Sequence, residues 1–243
     1  GKLFFSDGTS SADEYRGFIQ YAHSVDAMTF GTDSTERMRV DSAGRLMLGT
    51  TTEGSGNADN FTVADSGHSG ITIRSGTSSH GSIYFSDATS GGGEYDGYIE
   101  YEHADQRFNF GAAGNTRLRI DSSGRLLVGT TTEGYDSADN FTIADTGNCG
   151  LTLRSATNGL GTIAFSDATS GDGEYSAFIQ YNHSNRHLTF GTESDEHVRI
   201  DNNGHLEVDY DGDNNARVQF GFASGVWITG NSSDGHQRFY TNS

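Results

Sequence analysis

The sequence predicts an all-β fold built from repeated blocks of short strands, and three observations carry that prediction. First, Phe-Ser-Asp recurs at Phe5, Phe85 and Phe165, Glu-Tyr at Glu14, Glu94 and Glu174, and Arg-x-Asp-x-x-Gly at Arg39, Arg119 and Arg199. Every interval is about 80 residues, without a gap, as expected when each unit stacks directly on its neighbour. Second, apolar and polar residues alternate over short runs, the period of a strand with one buried face. Third, there is no helical 3.6-residue spacing long enough to score and no heptad, and the 34 glycines lack the every-third spacing of collagen.

Residues 1–80 and 81–160 agree at roughly half their positions, with unbroken matches of Gly49–Gly54 to Gly129–Gly134 and Ala58–Thr62 to Ala138–Thr142. A third, partial copy covers 161–208, and 209–243 is a non-repeating segment that reads as a cap or a tip. The first copy starts mid-pattern, so the sequence reads as a piece of a longer chain. In the second copy the apolar pairs are Ile71 and Ile73, Ile83 and Phe85, Ile99 and Tyr101, Phe108 and Phe110, Leu118 and Ile120, Leu126 and Val128, and Phe141 and Ile143. Each pair is two apart, which predicts about seven short strands per repeat. Asp121-Ser122-Ser123-Gly124 lies between two of them and is matched by Asp41-Ser42-Ala43-Gly44 and Asp201-Asn202-Asn203-Gly204. Asp at the entry and Gly at the exit predict a tight hairpin. The loop between Tyr101 and Phe108 varies from copy to copy, as a solvent-facing tip would. In 209–243, Arg217–Ala223, Val226–Thr229 and His236–Tyr240 predict three more strands.

Fifteen Lys plus Arg against 33 Asp plus Glu give a net charge of −18 and a pI near 4.6, which excludes a nucleic-acid phosphate binder as the default. No run approaches the roughly 18 apolar residues of a membrane span, and no signal peptide is evident at Gly1–Asp7. Neither nucleic acid nor membrane insertion is therefore expected. Apolar residues make up 33% and proline is absent, so a thick globular core is not expected either. Cys149 is the single cysteine, which excludes an intrachain disulfide and a cysteine-based zinc cluster.

A one-faced β ribbon must hide its apolar stripe, by coiling on itself as a solenoid or by winding together with identical chains. Solenoid coils run at about 20–30 residues, whereas the period here is about 80. The sequence thus favours an elongated, intertwined homotrimer. Its acidity would discourage sideways association through strand edges.

Stretches such as Gly97-Tyr98-Ile99-Glu100-Tyr101-Glu102-His103, Arg117–Thr131 (RLRIDSSGRLLVGTT) and the closing Arg238–Ser243 resemble the repetitive shafts of bacteriophage tail fibres, most closely those of phages infecting aquatic bacteria and cyanobacteria. The resemblance covers most of 1–208. It implies a homotrimeric structural protein on the virion surface, joined to other virion proteins. Its role would be attachment to a host cell surface, with glycans as the ligand class. Many such fibres carry a C-terminal self-cleaving chaperone, and nothing like its catalytic part is read here. No cofactor and no catalytic residue are expected. Two other function classes stay open: a glycan-depolymerising tailspike, and a bacterial adhesin or extracellular filament built on the same repeat.

Candidate site residues follow from recurrence and residue type. His23, His103 and His183 recur at the end of Ile-x-Tyr-x-His faces, where three symmetry mates could hold a metal on a trimer axis. A hydrogen-bonded histidine at a strand end is the competing reading. Asp7, Asp87 and Asp167, Glu14, Glu94 and Glu174, and Asp41, Asp121 and Asp201 could supply an acid and base for glycan hydrolysis. The competing reading is turn capping and ladders with Arg39, Arg119 and Arg199. Asp209, Asp211 and Asp213 resemble the start of a calcium loop, but Asn214 and Phe220 stand at its sixth and twelfth positions, which excludes an EF-hand. Trp227, Tyr240 and Arg238 are of the types that dominate binding hot spots and sugar stacking, or they cap the end of the β stack. Cys149 stands where the previous copy has Ser69, and reads as a tolerated small residue.

Overall fold

The computed structural model describes residues 1–208, apart from the side chains at 11 and 12, and the backbone of 219–220, 226–230 and 237–241. The described residues are all-β, with three short 3₁₀ turns and no α-helix. Two units divide the chain, Gly1–Gly147 and Asn148–Ser243.

In the first unit, β1 (Lys2–Phe5), β2 (Gly17–Ala22), β3 (Ala27–Thr32), β4 (Thr35–Val40), β5 (Leu46–Leu48) and β6 (Phe61–Val63) form one sheet in chain order. A second sheet repeats it with β7 (His80–Phe85), β8 (Gly97–Glu102), β9 (Arg107–Ala112), β10 (Asn115–Ile120), β11 (Leu126–Val128) and β12 (Phe141–Ile143). The second unit holds β13 (Leu160–Phe165), β14 (Ala177–Asn182), β15 (His187–Thr192), β16 (Asp195–Ile200) and β17 (Leu206–Val208) in the same order. It also holds a three-stranded antiparallel sheet of β18 (Gln219–Phe220), β19 (Val226–Gly230) and β20 (Gln237–Thr241). The three strands expected in 209–243 are thus present.

The expected hairpin between β10 and β11 is present in all three sheets. Asp41 Oδ1 accepts from the N–H groups of Ala43 and Arg45 at 2.9 and 3.0 Å, and Asp121 and Asp201 repeat this. Gly44, Gly124 and Gly204 carry φ of 81°, 80° and 85°, where a side chain would be strained. A second hairpin joins β3 to β4, β9 to β10 and β15 to β16 through Asp33-Ser34, Ala113-Gly114 and Glu193-Ser194. Both residues of each pair have positive φ, the type I′ geometry that follows the twist of the flanking strands.

The sequence reading differs from the structure in strand number. Six strands, not seven, form the second sheet, because Ile71 and Ile73 lie in a segment without strand pairing. Alternation alone cannot supply the partner that a strand requires. The 3₁₀ turns at Ser11–Tyr15, Gly91–Tyr95 and Asp172–Tyr175 contain the recurring Glu-Tyr pair, and the polar, glycine-rich sequence gave no helical period to announce them.

The last two strands of the first two sheets run parallel, so the chain must cross over one face to return. Residues 49–60 and 129–140 make these crossovers. Arg45 clamps the first through Asp41 at 2.6 Å and Asp59 at 2.9 Å, and Arg125 clamps the second through Asp121 at 2.7 Å and Asp139 at 2.8 Å. The N–H groups of Gly54 and Gly134 donate to Thr62 and Thr142 Oγ1, both at 3.0 Å. Thr62 pairs with Met47 and Thr142 with Leu127, so the crossovers lie on the face that carries these two residues.

Candidate self-association face

The buried residues and the complete apolar rows lie on opposite faces of the sheets. Ala27, Met47 and Leu127 are the buried hydrophobic side chains among the described residues, and Thr29, Asn109 and Thr189 the buried polar ones. All six share the crossover-side registers: Gln20, Thr29, Arg39, Met47 and Thr62 form one cross-strand row, and Glu100, Asn109, Arg119, Leu127 and Thr142 its counterpart.

The other face is apolar from edge to edge. Leu3, Ile19, Phe30, Met38, Leu48 and Val63 stand opposite one another across β1 to β6. Ile83, Ile99, Phe110, Leu118, Val128 and Ile143 repeat the row across β7 to β12, and Ile163, Ile179, Phe190, Val198 and Val208 across β13 to β17. Two residues along the strands, Tyr101, Phe108, Ile120, Leu126 and Phe141 form a second row. Cross-strand apolar pairs of this kind stabilise a sheet once water is excluded from them. Yet Leu3 is 57% exposed, Ile83 48%, Phe141 50% and Leu206 67%.

The crossover-side face mixes polar residues with aromatic rings and is closely packed. Gly31, Gly111 and Gly191 lie beneath the rings of Phe18, Tyr98 and Phe178, where a Cβ would overlap the ring carbons. Only glycine fits under a ring that close. Beside it, in the second sheet, lies a cluster that sequence reasoning missed. His80 Nδ1 is 3.0 Å from Glu100, and Glu102 is paired with Arg107 at 2.6 Å. The ligand atoms of His80, Glu100 and Glu102 lie within 4.8 Å of one another, but Arg107 already neutralises one carboxylate. The third sheet has Leu160, Gln180, Asn182 and His187 at these four places, and that contrast between copies was the available signal.

The recurring histidines sit one residue past β2, β8 and β14. Each imidazole meets the ring of Tyr21, Tyr101 or Tyr181 edge-on, with centroids 4.9 Å apart. The N–H groups of His103 and His183 donate to the carbonyls of Ser79 and Gly159 at 3.1 Å. His23, His103 and His183 stand at the ends of strands in three different sheets.

The recurring Asp41, Asp121 and Asp201 hold turns. Their basic partners correct the sequence reading: Arg45, Arg125 and His205 pair with them, not Arg39, Arg119 and Arg199. The latter turn to Glu36 at 2.7 Å, Asn109 at 3.1 Å and Glu196 at 2.6 Å. The cause is pleating: Arg45 follows the turn whose N–H groups the aspartate caps, whereas Arg39 points along the polar row. The Arg45 guanidinium and N–H hold Asp41 below the usual carboxylate range. For Asp121 burial works the other way, and the Arg125 N–H and guanidinium outweigh it. The N–H of His205, with that of Asn203, overcomes burial and lowers Asp201 to about 2. Among the other recurring carboxylates, Asp167 accepts from Ser176 Oγ at 3.0 Å. The hollow lined by Arg107, Arg119, Arg125, Asp121 and Glu133 presents guanidinium groups that are already engaged.

Backbone register places Trp227 opposite Tyr240 and Thr229 opposite Arg238; the side chains of Trp227, Tyr240 and Arg238 lie outside the described residues. So do Asp209, Asp211 and Asp213. Cys149 is exposed. No helix among the described residues is long and apolar enough to cross a membrane. No family model matches the chain, and no curated protein matches it.

Proposed function

We propose that the chain is a structural fibre protein of a virion, in which three copies wind together through their apolar faces into a shaft that attaches the particle to a host cell surface. The single observation that carries the self-association is the inversion of the sheets, with complete apolar rows on the uncovered face and the buried residues on the other. The rod, the virion and the glycan ligand rest on the resemblance to tail-fibre shafts. Burying one face of each sheet against two other copies would convert exposed rows into the core that one chain lacks. The role is mechanical: it presents several weak contacts at once, and such multivalency raises avidity by a hundredfold or more through effective concentration. Other virion proteins would hold one end, and no reaction or cofactor is required.

Light scattering on the purified chain tests the step on which the rest depends. The expected mass is about 78 kDa, three times the 26.0 kDa of one chain. A folded species of one-chain mass would overturn the trimer. Binding to host cells or to their extracted surface glycans, without release of reducing sugar, is the expected second result. Sugar release would favour a depolymerase instead.

A further inference from the structure

Two connecting segments, Gly70–Ser75 (GITIRS) and Gly150–Ser155 (GLTLRS), have the composition of strands without the bonds of strands. Ile71 and Ile73 alternate with Thr72 and Arg74, and Leu151 and Leu153 with Thr152 and Arg154, a β-branched and apolar alternation that favours extended pairing. Neither segment belongs to a sheet. Among the described residues, no backbone N–H or C=O of either segment finds a partner. Such groups are strong and obligatory hydrogen-bonding units. The apolar side chains are equally uncovered, with Ile71 66% and Leu151 60% exposed.

Two further observations say what is missing. The Oγ atoms of Ser75 and Ser155, at the same place in the two copies, are shielded from water yet have no hydrogen-bond partner, an arrangement that is costly unless a donor or acceptor arrives. Ile73 lies against Gly81 of β7, and Ile71 and Ile73 border a groove floored by Ile83, Ile99 and Phe108. The unpaired strand therefore runs beside the uncovered apolar face.

We propose that Gly70–Ser75 and Gly150–Ser155 are the strands by which copies of this chain bond to one another, each pairing its backbone with a strand of a second copy. The proposal rests on the self-association reading and names the segments that carry it. β-Strand addition supplies directional bonds, and Ile71, Ile73, Leu151 and Leu153 enter the partner's apolar rows. Two such segments at the same place in successive copies set the register between chains, which the apolar rows alone leave free to slip.

Amide hydrogen exchange on the intact chain, with mass measured on the same sample, tests this. The expected result is a three-chain mass with the amides of 71–75 and 151–155 slowed by about a hundredfold or more relative to free peptide. A three-chain mass with these amides exchanging at free-peptide rates overturns the strand pairing and leaves the fibre reading intact. A one-chain mass overturns both, whatever the exchange. A second measurement compares Thr72→Pro with Thr72→Ala, since proline removes a backbone donor while both keep Ile71 and Ile73. The proline variant is expected to dissociate at protein concentrations at least about tenfold higher than the alanine variant does. Equal dissociation of the two overturns the proposal.

Discussion

The two faces of each sheet obey different rules. On the crossover side, Gly31, Gly111 and Gly191 and Arg39, Arg119 and Arg199 are kept, but charged residues change between copies: the second sheet has His80, Glu100, Glu102 and Arg107 where the third has Leu160, Gln180, Asn182 and His187. On the other side the rows stay apolar in all three sheets, with Ile19, Ile99 and Ile179 at one place and Phe30, Phe110 and Phe190 at the next. The face that a single chain buries changes its charge from copy to copy, and the face it leaves in water keeps its apolar character. A sheet that folded only for itself would show the reverse, because its own packing would constrain the covered side.

The sharpest break of that contrast is a charge in the apolar face. Ile99→Asp is expected to drop the mass from three chains to one in light scattering, because an unpaired carboxylate in a closed apolar row has no compensation. On the covered face, Gly111→Val places a side chain where the Tyr98 ring already lies. It should destabilise by about 1–3 kcal/mol, read from the denaturation midpoint.

Acid should act through the turns that bracket the crossovers and their counterpart in the third sheet. Asp41, Asp121 and Asp201 have lowered pKa values, Asp201 to about 2. Their stabilisation is present above the ordinary carboxylate pKa of about 3.9 and is lost as pH falls through the folded values. The thermal midpoint should therefore fall progressively between about pH 4 and about pH 2. Asp201→Asn should flatten part of that slope.

A smaller effect separates the two faces from the turns between them. Ser194 holds a positive φ of 67° where the second sheet has Gly114. Ser194→Gly should stabilise by about 1 kcal/mol without changing oligomeric mass. Smallest of all, Glu100→Gln installs the residue that Gln20 and Gln180 already place there. Its effect on stability should stay within about 0.5 kcal/mol.

Alternation and turn chemistry made most of the fold legible. Strands β7 to β12, the Asp-x-x-Gly hairpin and the three C-terminal strands follow from two-residue spacing and from Asp and Gly at turn positions. The missing seventh strand shows the limit, because the pattern of Ile71 and Ile73 states a preference for pairing and says nothing of where the partner lies. The Arg45 and Arg125 clamps escaped for a related reason. Each joins the hairpin turn to the last residues of a crossover, Asp41 to Asp59 and Asp121 to Asp139, and no local period links those positions. The candidate face was half legible: the apolar positions were evident, but their edge-to-edge alignment depends on cross-strand register, which one strand's pattern does not contain.

Strand order bears on how such a chain reaches its folded form. In each of the three large sheets, consecutive strands are neighbours, and local pairings of this kind close quickly because little loop entropy opposes them. Each block can therefore complete its own sheet soon after its last strand leaves the ribosome, long before another copy arrives. In the proposed assembly the late step is encounter between chains, and a charge of −18 would slow that encounter. Assembly should consequently be second or higher order in protein and faster in salt, while the formation of the individual sheets is indifferent to both.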